Sequence, residues 1–90
     1  MRRYLNLNEL ETALRAALEP SALAVIDDSH HHIGHAGAKE GGHYTVRITS
    51  ARFAGLPRVA RHRLVYDALR PLMPGGIHAL AIDARAPDEA

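Results

Sequence analysis

Apolar residues recur along this chain in helical and strand rhythms, and each rhythm predicts an element. Leu10, Leu14, Ala17 and Leu18 fall at helical spacing, with Asn8 placed as an N-cap and Glu11 at the third helical position as its capping-box partner. A helix over residues 8–19 follows, and Pro20 stops it. Residues 22–27 are short and apolar with β-branched Val25 and Ile26, which predicts a strand. Residues 43–50 alternate: Tyr44, Val46 and Ile48 face one way, Thr45, Arg47 and Thr49 the other. Phe53-Ala54-Gly55 marks a turn, with a short extra helical turn near Ala51, Arg52 and Phe53. Pro57 suits the first position of a second helix through Arg70, whose buried stripe is Val65, Leu69 and Leu72. After Pro71 and Pro74-Gly75-Gly76, residues 77–85 form a last strand, apolar on both faces until Asp83 and Arg85.

The order is α-β-β-α-β, with an optional extra helical turn. Two strands flanking a long polar segment make a hairpin, and the connection from Thr49 to Ile77 permits a right-handed crossover that sets the last strand parallel to the second. Three strands cannot bury their apolar residues alone, so two helices cover one face. The expectation is a single α+β two-layer domain over residues 1–90 with a three-stranded mixed sheet. Its core spans about residues 8–86, and its ends and the loop 29–42 are flexible.

Composition narrows the chemistry. Three Tyr, one Phe and no Trp leave the core to aliphatic residues, and the lack of cysteine excludes disulfides, a thiol nucleophile and any cluster held by this chain's own thiolates. No apolar run approaches a membrane span and residues 1–4 open no signal-peptide segment, so a soluble, cytoplasmic protein with no membrane partner is expected. Net charge is only +1, against a strongly basic nucleic-acid binder. Six arginines between Arg47 and Arg70 nevertheless face one acid, Asp67, which suggests a local basic face.

Four of the seven histidines crowd into His30-His31-His32-Ile33-Gly34-His35, ahead of a glycine-rich run. Imidazole changes charge near neutral pH and is the commonest metal ligand, so coordination or proton exchange competes evenly here with a merely tolerated polar loop. His78 shares parity with Leu80 and Ile82, pointing toward the helical side at the strand's edge, where a half-buried core histidine is the plain reading. His62, at helical spacing with Val65 and Leu69, is expected inside the core. His43, beside Gly41-Gly42, is read as capping a backbone group. No Ser-His-Asp arrangement, Walker loop, His-Glu-x-x-His or GxGxxG pattern is present, so no independent enzyme is expected.

Several stretches together resemble the BolA family: Asp27-Asp28-Ser29-His30-His31-His32-Ile33-Gly34-His35-Ala36-Gly37, Gly42-His43-Tyr44-Thr45-Val46, Ser50-Ala51-Arg52-Phe53-Ala54-Gly55, Arg61-His62-Arg63-Leu64-Val65-Tyr66 and Ile77-His78-Ala79-Leu80-Ala81-Ile82. The likeness runs over about residues 9–89, in order. It implies an α-β-β-α-α-β fold similar to a class II KH domain. It also implies a heterodimer with a monothiol glutaredoxin, the two sharing a [2Fe–2S] cluster held by a glutaredoxin cysteine, a glutathione thiol and histidine from this chain. That role belongs to cluster trafficking or assembly, or to redox and iron sensing. By this resemblance His78 is the C-terminal ligand. The loop ligand is His32 by the Ser-x-x-His pattern or His35 by the His-Ala-Gly pattern, with His31 an additional candidate.

A transcription-regulator role attached to some members gives an alternative, in which Arg58, Arg61 and Arg63 contact DNA phosphates. Against it, Gly55-Leu56-Pro57-Arg58 lacks the second glycine of a KH loop, and aromatic stacking residues are few. The geometric expectation is that the starts of the second and third strands share one end of the sheet. His78 is then partly exposed on the loop's side, within reach of His32 or His35 through loop motion, and His62 is buried away from it.

Overall fold

A computed structural model describes residues 7–28, 42–73 and 77–89, with the backbone alone at Ile77 and His78. Helix α1 (Leu7–Leu18) buries Leu10, Leu14 and Leu18, the stripe its spacing predicts. It starts one residue earlier than expected, so Asn8 lies inside the first turn and is not its N-cap. At the other end Glu19 adopts a left-handed φ of 47° while its N–H reaches the Arg15 carbonyl at 3.1 Å. Pro20 disfavours helical geometry at the residue before it, and a left-handed residue is the usual exit from a helix.

Strand β1 (Ala22–Asp27) pairs antiparallel with β2 (Gly42–Thr49), and β2 pairs parallel with β3 (Ile77–Arg85), giving the sheet order β1-β2-β3. Helix α2 (Arg58–Leu69) makes the crossover, followed by a 3-10 turn at Arg70–Leu72. Pro57, expected as the first helical residue, stands instead at the N-cap, and Val65 and Leu69 are buried while Leu72 is half-buried. Both helices lie on one face of the sheet. The alternation in β2 is as predicted, with Tyr44, Val46 and Ile48 at 2% exposure or less.

Strand β3 departs from its expectation. Leu80, Ile82 and Ala84 pack on the core, but Ala79 and Ala81 are exposed on the face that no helix covers. An unbroken run of apolar letters suggests a strand covered on both sides; alanine is small enough to stand in water at little cost, so the pattern is equally compatible with an edge strand open on one face.

Two residues tie the layers together between β2 and α2. Ser50, 1% exposed, donates from Oγ to the Leu18 carbonyl at 2.6 Å, accepts from the Arg52 N–H at 3.1 Å, and donates its own N–H to the Arg85 carbonyl at 2.9 Å. Phe53, at the end of the 3-10 turn Ala51–Phe53, is wholly buried. Gly55 then takes φ of 77°, a conformation in which a Cβ is strained even though one built there meets nothing within 4 Å. Gly55→Ala is therefore expected to lower stability by about 1 kcal/mol through the backbone alone, read as a lower urea midpoint at unchanged slope. Gly55→Asn should lose less.

Candidate functional site

The strand directions bring three chain ends together. Strand β1 closes at Asp27, β2 opens at Gly42, and β3 opens at Ile77; because β1 runs against β2 and β3 runs with it, all three lie at one end of the sheet. Gly42 is paired with Ile77 and His43 with Ala79, so the ladder skips a residue at His78. The backbone of His78 thus sits at a bulge, beside the strand that the histidine-rich segment leads into. His31, His32 and His35, the expected loop mobility and the orientation of the His78 side chain lie outside the described residues.

Both anchors of that segment are fixed. On the β1 side the Asp28 N–H donates to the His43 carbonyl at 2.7 Å, and Thr45 Oγ1 donates to Asp28 Oδ2 at 2.6 Å, a loop-closing arrangement. On the β2 side Gly42 is buried, and a Cβ built on it would come within 2.6 Å of the Tyr44 ring. Sequence reading treats this glycine as part of a flexible run; the structure makes it the place where a buried tyrosine closes over the backbone. Among the described residues no three His, Asp or Glu side chains cluster as a metal site.

His62 is not the core histidine its spacing suggests. Arg61, four residues before Val65 and eight before Leu69, takes the inward position on α2, and His62 turns toward β3. There it is half-buried in a cleft of about 590 Å³ with Arg58, Ile82, Asp83 and Glu89. Asp83 is five residues beyond His78 along β3, so at the rise of a strand His62 is roughly 15 Å from the bulge, at the other end of the sheet.

The three arginines singled out as phosphate contacts have different fates. Arg61 is an internal clasp: Nε donates to the Leu56 carbonyl at 2.8 Å, Nη1 to the Ala84 carbonyl at 3.2 Å, and both Nη atoms to the Glu89 carboxylate, the Nη2 bond being 2.8 Å. Its side chain is 13% exposed, so as a phosphate contact it is withdrawn. Arg58 and Arg63 are exposed. Sequence reading missed the clasp because its partners are 28 residues apart and no local pattern announces that the 3-10 turn Pro87–Glu89 folds back on α2.

Glu89 also accepts from the Ala86 N–H at 2.9 Å, and the Arg61 hydrogen bonds, ahead of that one, hold its carboxyl down at about 2. The unfolded chain's carboxyl titrates near 4.5. A lowered folded-state value means that the clasp's contribution is fully present above that unfolded value and is lost as pH falls from there through about 2. A side-chain NMR titration is expected to place Glu89 near 2, and Glu89→Gln should reduce the loss of stability between pH 5 and pH 2.

A family profile described as BolA-like protein matches residues 14–89. The chain belongs to the BolA family. It is 46% identical over 83 residues to a Sinorhizobium protein described as uncharacterized in the cobS 5′ region, covering 89% of each chain. Its fold is similar to the solved structures of BolA1 from Arabidopsis thaliana (TM-score 0.82, 40% identity, 96% of both chains) and of the BolA domain of SufE1 from the same plant (TM-score 0.82, 40% identity, 96% of this chain and 99% of that one). The α+β fold with a mixed three-stranded sheet is therefore that of BolA structures. Some relatives are longer: the chain spans 54% of the Arabidopsis protein named BOLA1, chloroplastic, and 22% of the one named SufE-like protein 1, chloroplastic/mitochondrial. No helix among the described residues is long and apolar enough to cross a membrane. With relatives named for plastids and mitochondria, the cytoplasmic expectation rests on the sequence alone.

Proposed function

We propose that this BolA-like chain is a non-enzymatic partner of a monothiol glutaredoxin and contributes histidine ligands to a [2Fe–2S] cluster shared with glutaredoxin and glutathione. The observation that supports this reading is the parallel β2–β3 pairing, which sets the backbone of His78 at the end of the sheet where the segment carrying His32 and His35 is anchored. The donor chemistry fits: a chain without cysteine offers neutral imidazole at this end, and thiolates would come from glutaredoxin and glutathione. Such a cluster supplies one-electron redox chemistry and an iron–sulfur unit that can be transferred. This chain's part is to hold His78 on a strand and to bring His32 or His35 to it, each in the unprotonated form that binds metal. The occurrence of a BolA domain within a SufE-like protein favours a module that serves another protein's chemistry.

The experiment is reconstitution. Chain and monothiol glutaredoxin are combined with iron, sulfide and glutathione, and the visible absorption and circular dichroism of the mixture are compared with those of glutaredoxin alone. A new spectrum at one chain per glutaredoxin is expected; a spectrum identical to the sum of the parts would remove the basis of the proposal. The alternative DNA-binding reading is weakened by the clasp on Arg61, which leaves Arg58 and Arg63 without the central member of the expected set.

A further inference from the structure

The uncovered face of the sheet carries an unbalanced charge at the end away from the histidine segment. Arg47 on β2 is the ladder partner of Asp83 on β3, and Arg85, two residues further on the same face, donates to Asp83 through Nε at 3.0 Å and Nη2 at 3.2 Å. Arg58, the first residue of α2, lines the adjoining cleft with Asp83 and Arg85. The Asp83 carboxyl lies below its ordinary range, first through the Arg85 hydrogen bonds and then through the charges of Arg85, Arg47 and Arg58. The charges of three guanidinium groups thus act on one carboxylate, and Arg85 alone is hydrogen-bonded to it. Elsewhere Arg52 pairs with Glu19, Arg61 with Glu89 and Arg70 with Asp67, whereas among the described residues Arg47 and Arg58 make no hydrogen bond or ion pair.

Beside this cluster a trough of about 530 Å³ runs over the open face, bordered by Ala22, Ala24, Arg47, Thr49 and Arg85. Its alanines let an incoming chain approach the sheet closely, and they present methyl groups rather than rings. No aromatic side chain borders the trough, so unpaired bases have nothing to stack on there. The face is three strands across, roughly 10 Å between the outer strands, which suits one peptide segment better than a broad globular surface.

We infer that the open face of the sheet at Arg47 and Arg85, with Arg58 in the adjoining cleft past the β3 edge, docks a single acidic, partly apolar peptide segment of a partner protein, its carboxylates on the two uncommitted arginines, Arg47 and Arg58, and its apolar side chains on Ala22 and Ala24. Asp83 holds the third guanidinium, that of Arg85, through two hydrogen bonds. Because the surface lies at the opposite end of the sheet from His78, it is available while that end is occupied, and its success or failure is independent of the glutaredoxin proposal.

The test uses the full chain and a fluorescein-labelled peptide of alternating glutamate and leucine, followed by anisotropy at low and moderate salt. Saturable binding is expected, weakened about ten-fold or more by Arg47→Ala with Arg58→Ala. Arg15→Ala with Arg70→Ala, which removes the same charge elsewhere, should change it less than about two-fold. Far-ultraviolet circular dichroism confirms that both variants are folded, and backbone NMR shifts should concentrate at residues 22–24, 47–49 and 83–85. Equal weakening by the two double variants would reduce the effect to bulk charge and overturn the inference. So would displacement of the peptide by a single-stranded oligonucleotide at lower concentration, which would mark a nucleic-acid surface, or the absence of saturable binding.

Discussion

Phe53→Ala is expected to destabilise the domain by about 3–5 kcal/mol, the largest loss from any single truncation in the core. Phe53 is the chain's only phenylalanine and is wholly buried in a cluster with Leu10, Leu14, Val46, Ile48, Val65 and Leu69. Those neighbours come from both helices and the central strand, so the cavity left by the ring cannot collapse without moving several elements at once. The Phe53 N–H donates to the Ser50 carbonyl at 3.1 Å and its carbonyl accepts from the Leu56 N–H at 3.1 Å, which fixes the ring at the junction between β2 and α2. A domain of this length is stable by about 5–13 kcal/mol in total, so the variant should sit near its unfolding threshold at 25 °C. Urea unfolding followed by circular dichroism is the measurement, with Phe53→Leu as the smaller truncation for comparison, expected to cost less than about 2 kcal/mol. Similar midpoints for the alanine and leucine variants would show that the junction repacks.

What the sequence displayed of this fold depends on how local each signal is. The alternation of Tyr44, Val46 and Ile48 was legible because a period of two is read within one strand, and the stripe on α1 because leucines four apart admit one helical face. The parallel placement of β3 was also legible, since a helix-length connection constrains handedness. Alanine defeats the same logic: Ala79 and Ala81 look like core and stand in solvent. His62 and Arg61 show a second limit. Adjacent on one helix, they compete for the inward direction, and the winner is decided by the tail residue Glu89, which no window around α2 contains. Of the candidate ligands, the strand position of His78 follows from the pattern. The choice among His31, His32 and His35 depends on the conformation of a segment whose composition sets no periodicity.

His78→Ala is expected to abolish the spectrum of the mixed cluster while the isolated domain keeps its fold. Position 78 lies where the β2–β3 ladder skips a residue, so the substitution leaves the pairing from His43↔Ala79 onward in place. On the proposed ligation of one iron by two histidines, losing one ligand would remove the chelate, a far larger effect than any change at a distant histidine. His62→Ala, at the other end of the sheet, should leave the spectrum unaltered. Of His32→Ala and His35→Ala, one should behave as His78→Ala does and the other should not. Cluster formation should also fail as pH falls below about 6, where free imidazoles are protonated. An undiminished spectrum from His78→Ala would end the ligand assignment.

With β2 in the middle of the sheet, its two ladders close at different distances along the chain. Partners in β1–β2 are separated by the hairpin alone, from Asp27↔Tyr44 out to Ala22↔Thr49, whereas every β2–β3 pair, such as Thr45↔Ala81, encloses all of α2. Closing a loop twice as long costs only about 0.6 kcal/mol of chain entropy, so length alone does not set the order of assembly. The larger difference is that β3 has no surface to join until β2 has been held by β1 and α2 has turned the chain back. A hairpin formed early is therefore expected to act as a template and the parallel ladder as the slow step, so that the folding time of this domain is set by the crossover through α2.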